Sequence, residues 1–490
     1  MIPVLLLTVG LSPGLFPFPA PLDETVLARD SSLQSYALVG IEGLTAAELD
    51  RLKRAPGLAW WVEMDTQLLV LAPSGRLESL ADEFAVFRLP IPVAPRRLRF
   101  LRLDHVRDPR IFDVWELGRA GRHAVIQLRS PLPEAVWLQG HQHAVTALPF
   151  VPNSVLAARR RFSPAKAKLA ADPLVTFFID QIDEQRWRAD LDFLACFNRW
   201  SHGEEIAEAR DWLVQQFEDI PGLDVHTQSF PLQGTTVENV IAVLEGTVDN
   251  DQWYIVGAHY DSISENPQLA APGGEDNASG SAAVLEMARV FAAWPPPFKM
   301  IFICYSGEEQ GLFGSADHIA RVVNAGEAEK IQAALIMDMI GYTFDELLDV
   351  LLETDQIAEF MVDAFADAAE LYTGLTTVVS YNPFGSDHVP YLNRDVPALL
   401  TIENDWDRYP HYHRTTDFPE EVVLAQGWET LKMNIAAMSH LMGHTLRGTD
   451  PAVYLGDWRS APAPPRTFDL NGNGLIDVAE LVLVINQSQP

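Results

Sequence analysis

From residue 175 to 444 the chain alternates short apolar runs with longer amphipathic stretches. Strands are predicted at 253–258, 299–305, 333–337 and 398–402. Helices are predicted at 279–294, 314–325, 356–371 and 422–442, the first stopped by Pro295-Pro296-Pro297. Strands that alternate with helices imply a mostly parallel mixed sheet sandwiched by helices, an α/β fold. Sites in such sheets gather at the carboxyl ends of the strands.

The region before it reads differently. Residues 36–40, 60–62 and 67–71 suit strands, and 45–55 suits a helix opened by Thr45 with Glu48 three residues on, a capping box. An α+β domain is expected at 22–156, with propeptide and structural filler both open as its role. Residues 157–173 are expected to form a linker that includes Arg159-Arg160-Arg161, either a solvated charge run or a processing site. Residues 1–20 are apolar but lack a basic start and are broken by Pro3, Pro13, Pro17 and Pro19, which leaves a leader peptide open. A Pro/Ala-rich linker is expected at 446–466. No stretch elsewhere is long and apolar enough to span a bilayer.

At 490 residues the chain has room for several modules, and 48% hydrophobic residues suffice for a buried core. Lys plus Arg number 35 against 67 Asp plus Glu, a net charge of -32. That surface repels nucleic acid and anionic membrane, so neither is expected as a partner. Cys196 and Cys304 read as small buried apolar residues, with no disulfide framework.

Chemistry concentrates in five short motifs: His259 in Gly-Ala-His-Tyr-Asp, Asp276 in Glu-Asp-Asn-Ala-Ser-Gly, Glu309 in Gly-Glu-Glu, Asp338 in Met-Asp-Met, and His413 in His-Arg-Thr-Thr-Asp. Two imidazoles and three carboxylates suit a pair of divalent ions such as zinc, with one carboxylate bridging. Glu308, beside Glu309, is free to act as a base. His411 and His388 are rival ligands.

Taken together, residues 257–262, 274–280, 306–309, 337–339, 386–388 and 413–417 resemble the M28 family of co-catalytic zinc peptidases, whose members include bacterial leucine aminopeptidases. The resemblance covers about 175–443, and a peptidase domain at 174–445 with the zinc exopeptidase fold follows from it. It implies that Asp276 bridges two zincs, one also held by His259 and Asp338, the other by Glu309 and His413. It further implies Glu308 as general base for a metal-bridged hydroxide, and Asp261 as the carboxylate that orients His259. The family's spacing selects His413, with Asp417 four residues later, over His411. The expected activity is removal of N-terminal residues from peptides. Near 381–385 the chain departs from well-known members, so the substrate pocket stays unassigned; Tyr381, Phe384 and Trp406 are candidate wall residues.

Alternatives on the same scaffold are a carboxypeptidase, for which Arg408 and Arg414 would hold a substrate carboxylate, and a glutaminyl-cyclase-like enzyme. Cyclases of this lineage use one zinc, so the five-ligand set favours a peptidase. A non-catalytic scaffold or binding protein is the alternative of a different class, and intact Glu308 argues against it.

At the C-terminus, residues 467–490 hold a calcium-loop pattern. Asp469, Asn471, Asn473, Asp477 and Glu480 are oxygen ligands, Leu475 offers its carbonyl, and Gly474 stands at the sharp turn. The prolines before it block an entering helix, so the segment resembles half a dockerin, and a cohesin-like partner stays open. Calcium binding favours a secreted or periplasmic location.

Overall fold

The computed structural model describes residues 34–103, 114–129, 147–160, 170–248 and 250–445. The leader peptide, Arg161, the 446–466 linker and the whole calcium pattern from Asp469 to Glu480 lie outside the described residues.

The strands are β1 Gln34–Gly40, β2 Trp60–Asp65, β3 Gln67–Pro73, β4 Val86–Arg88, β5 Leu98–Arg102, β6 Val114–Ala120, β7 His123–Leu128, β8 Ala147–Pro149, β9 Ser154–Arg159, β10 Leu223–Leu232, β11 Thr235–Leu244, β12 Trp253–His259, β13 Lys299–Tyr305, β14 Ile331–Met337, β15 Asp349–Glu353, β16 Thr376–Ser380 and β17 Ala398–Glu403. The main helices are α1 Ala46–Lys53, α2 Ser74–Ala81, α3 Pro173–Asp180, α4 Glu184–Leu194, α5 Glu205–Glu218, α6 Gly280–Ala293, α7 Phe313–Asn324, α8 Glu359–Tyr372, α9 Val389–Leu392 and α10 Leu424–Leu441.

Among the described residues one sheet has thirteen strands in the order β10-β11-β13-β12-β14-β17-β15-β16-β9-β2-β3-β1-β4. Its centre is parallel, pairing β12 with β13, β12 with β14, and β14 with β17. Near-continuous apolar runs suit such strands, which are buried on both faces. One face is covered by α3 to α6, α8 and α10, whose apolar sides form a single core with the sheet. The other face meets α7 and α9 together with a second, four-stranded sheet, β6-β7-β5-β8. Helices on both faces were the expectation, and here a small sheet takes much of the second face. Burial needs only an apolar surface, and the inward sides of Leu98, Phe100, Val125 and Ile126 provide one.

The N-terminal region also differs from a separate domain at 22–156. Strand β9 pairs with β16 through Val378–Arg159 and Val379–Ala158, and with β2 on its other side, so β1 to β4 extend the large sheet. Residues 157–159, expected to begin a linker, are strand. Arg159 bonds Asp65 at 2.9 Å and Asp349 at 3.1 Å, and Arg160 bonds Asp363 at 2.5 Å. These two arginines are engaged in ion pairs rather than forming a solvated run.

Local signals behaved as their chemistry dictates. Thr45 and Glu48 form the reciprocal capping box at the start of α1. Asp172 caps α3 ahead of Pro173 by accepting the Leu174 N–H at 2.9 Å. Cys304 is buried as expected; Cys196 is exposed, because it follows α4 on a turn rather than facing the core. No helix among the described residues is long and apolar enough to cross a membrane.

Candidate metal centre

The central strands deliver the site. His259 ends β12, Glu308 and Glu309 follow β13, and Asp338 follows β14, so three adjacent parallel strands release their side chains on one edge. Asp276 comes from the irregular turn that leads into α6, and His413 from the loop after β17.

Asp276 faces both histidines. Its Oδ1 is 3.4 Å from His259 Nε2, and its Oδ2 is 3.2 Å from His413 Nε2. His259 Nε2 is also 3.2 Å from Asp338 Oδ1, and His413 Nε2 is 3.0 Å from Glu309 Oε2. His259, Asp276, Glu309, Asp338 and His413, the five residues expected as ligands, therefore lie together. Glu308 places a carboxylate oxygen within 4.8 Å of the donor atoms of His259 and Asp338.

Supporting bonds fix these groups. Ser386 Oγ donates to Asp338 Oδ2 at 2.6 Å. Asp417 accepts the N–H groups of Glu275 at 2.9 Å and Asp276 at 3.1 Å, and takes the Tyr409 hydroxyl at 2.6 Å. The role expected of the Asp261 carboxylate shifts. It is the Asp261 backbone carbonyl that lies 3.0 Å from His259 Nδ1, while the carboxylate stands off at 3.7 Å. That carboxylate instead accepts from the Glu308 N–H at 3.2 Å and from Ser201 Oγ at 2.8 Å. Arg199, fully buried, donates to the carbonyls of Tyr260, Leu194, Pro272 and Gly273 at 2.5 to 2.7 Å. Neither Arg199 nor Ser201 stood out in the sequence, since neither belongs to a ligand motif.

The electrostatics are those of a cation site. Burial pushes Glu309 up to about 7, with His413 pulling the other way. Burial disfavours charged His413, yet Glu309 and Asp276 outweigh it and lift the imidazole to about 10. Burial also drives Glu308 well above the carboxylate range, with the charges of Asp338 and Glu309 adding to it. Buried carboxylates in such excess need a cation. Glu309 Oε1 is buried with no hydrogen-bond partner, so the donor set fits divalent metal.

The rival residues sit against other groups. His411 turns to Thr416 Oγ1 at 2.8 Å and to Glu421 at 3.4 Å. His388 is fully buried, 3.4 Å from Glu353. The adjoining cavity, 280 Å³, is lined by the metal-site carboxylates with Leu312, Met339, Ile402, Trp406 and Tyr412. Trp406 is thus a wall residue as expected. Tyr381 and Phe384 are not, and neither are Arg408 and Arg414; among the described residues the arginine that lines the cavity is Arg122.

Two histidines and three carboxylates at the strand ends of an α/β sheet are what metal-dependent hydrolases use. The chain belongs to peptidase family M28, whose pattern matches residues 239–438. It is 34% identical over 348 residues to a probable zinc metalloprotease of Pyrenophora tritici-repentis, covering 60% of this chain and 68% of that one. It is 27% identical over 293 residues to a probable leucine aminopeptidase of Trichophyton verrucosum, covering 56% and 77%. Among solved structures, the LapA aminopeptidase of Legionella pneumophila shares the fold, with a TM-score of 0.50 at 17% identity over 84% of this chain and 98% of that chain. The chain spans about a third of the length of other probable zinc metalloproteases that it matches, 32% to 36%.

Proposed function

We propose that the chain removes N-terminal residues from peptides, using two divalent ions, zinc by preference. His259 and Asp338 would hold one ion, Glu309 and His413 the other, and Asp276 both. The observation that carries this reading is the division of the Asp276 carboxylate, one oxygen to each histidine. Ions bound there supply an acidified water and positive charge to stabilise the transition state.

The chain's own residues do the rest. Glu308 takes a proton from the attacking water and passes it to the leaving amine. Its backbone is tethered to Asp261, so the carboxylate stays beside the ligands. The cavity of 280 Å³, below the usual range for a drug-sized ligand, suits one terminal residue, and its apolar wall suits an apolar side chain. The carboxylates at the site attract the ammonium of a free N-terminus.

A carboxypeptidase is less well supported, because Arg408 and Arg414 do not line the cavity and Arg122, which does, already donates to the Phe384 and Gly385 carbonyls. The name of the Trichophyton relative also favours an aminopeptidase. The test is metal content per chain, together with hydrolysis of matched free and N-acetylated leucyl substrates. Two ions and turnover of the free form alone are expected; equal turnover of the acetylated form would overturn the aminopeptidase reading.

On sequence alone, we also propose a calcium ion at Asp469 to Glu480 and export from the cell, with a cohesin-like partner as the less favoured extension. Calcium titration of the full chain, followed by calorimetry, tests the first, and no heat above that of a D469A/D477A variant would remove it.

A further inference from the structure

The turn between β6 and β7 has two residues, Gly121 and Arg122. Gly121 has φ 51°, and a Cβ there would meet the Ala157 Cβ at 3.2 Å, so glycine lets this turn press against β9. The close approach carries Arg122 out of the four-stranded sheet and into the wall of the catalytic cavity. The side chain is almost wholly buried. Its Nη1 donates to the Phe384 carbonyl at 2.7 Å and its Nη2 to the Gly385 carbonyl at 2.8 Å. The guanidinium lies 4.4 Å from the Phe384 ring centre and 5.5 Å from that of Trp406. Glu353 joins the group, 3.4 Å from Nη1 and accepting the Phe384 N–H at 3.1 Å.

Directly after Gly385 comes Ser386, which donates to Asp338. A fork of charged donors therefore clamps two consecutive carbonyls just before the hydroxyl that orients a metal-site carboxylate. We propose that Arg122 is a positioning residue: it holds the Phe384-Gly385-Ser386 turn so that Ser386 keeps Asp338 aligned. The N-terminal region is then a working part of the site and not a detachable accessory. The proposal rests on the metal-centre reading above.

The test uses the full chain and zinc alone as probe. Zinc retention against a chelator is measured for the parent, R122M, R122K, S386A and R122M/S386A, beside kcat and KM. The parent is expected to hold two ions. R122M and S386A should each weaken retention of one ion roughly 10- to 100-fold, the usual cost of losing a partner that orients a ligand. kcat should fall with KM little changed, and the double variant should be no worse than the weaker single. R122K, which cannot clamp two carbonyls as a fork, should fall between. Parent-like retention in R122M, or effects of R122M and S386A that multiply, would overturn the proposal. If R122M does not fold, R122K decides: parent-like retention overturns the role, and weakened retention with an unchanged circular dichroism spectrum supports it. A parent holding fewer than two ions would bring down the metal-centre reading itself, and the proposal with it.

Discussion

The carboxylate of Asp261 accepts the backbone N–H of Glu308 at 3.2 Å. Through its own backbone carbonyl the same residue lies 3.0 Å from His259 Nδ1. One residue thus fixes the orientation of an imidazole at the end of β12 and the start of the loop after β13. That tether suits the base role proposed for Glu308, which must stay near the reacting atoms without becoming a ligand.

Replacing Glu308 by glutamine keeps the side chain's shape and removes its basicity. E308Q is expected to retain the parent's metal content and lose roughly 100- to 10,000-fold in kcat. Metal analysis beside steady-state kinetics checks this, and parent-like turnover in a metal-loaded E308Q would dismiss the base role.

Asp276 touches both halves of the centre, whereas His413 touches one. D276A is therefore expected to lose both ions and H413A only one, read as zinc per chain after dialysis. Equal stoichiometry in the two variants would show that Asp276 does not bridge.

Arg199 satisfies four backbone carbonyls from a fully buried position, and burial is the main reason its guanidinium is lowered to about 10. In R199M those carbonyls lose their donor, at about 1–3 kcal/mol each. A loss of more than ~4 kcal/mol is expected in urea unfolding, close to the stability of a whole domain. A shift below ~1 kcal/mol would mean that water replaces the guanidinium.

His123 sits edge-on to the Phe384 ring, 4.9 Å between centres, and burial lowers its imidazole to about 4. An unfolded histidine titrates near ~6.5, so the unfolded chain binds this proton first. The stability that neutral His123 contributes is present above about pH 6.5 and is lost as pH falls towards 4. From about pH 6.5 to 5 that loss is about 2 kcal/mol, from about 1.4 kcal/mol per unit. H123Q cannot take up the proton and should be less sensitive over this window in paired urea titrations; identical slopes would exclude His123 as the source.

Much of the centre was legible because its motifs are local. His259, Glu308, Glu309 and Asp338 each close an apolar run, and period and hydrophobicity locate the end of a strand without a partner strand being known. Asp276 and His413 lie on irregular backbone, where only the motif resemblance marked them. The missed residues are of another kind. Arg199 acts through backbone carbonyls and Arg122 through a turn more than 260 residues away, so neither leaves a local pattern.

The sequence by itself determined the alternating strands and helices, because periodicity is written in adjacent residues, and it marked His259, Glu308, Glu309 and Asp338 at strand ends, with Asp276 and His413 added by motif resemblance. Only the tertiary structure decided that β1 to β4 and β9 join the large sheet, that a small second sheet covers part of its face, and that Arg122 enters the cavity. Strand order and the docking of one apolar face on another depend on which distant surfaces fit, and a linear pattern of hydrophobic positions does not specify its partner.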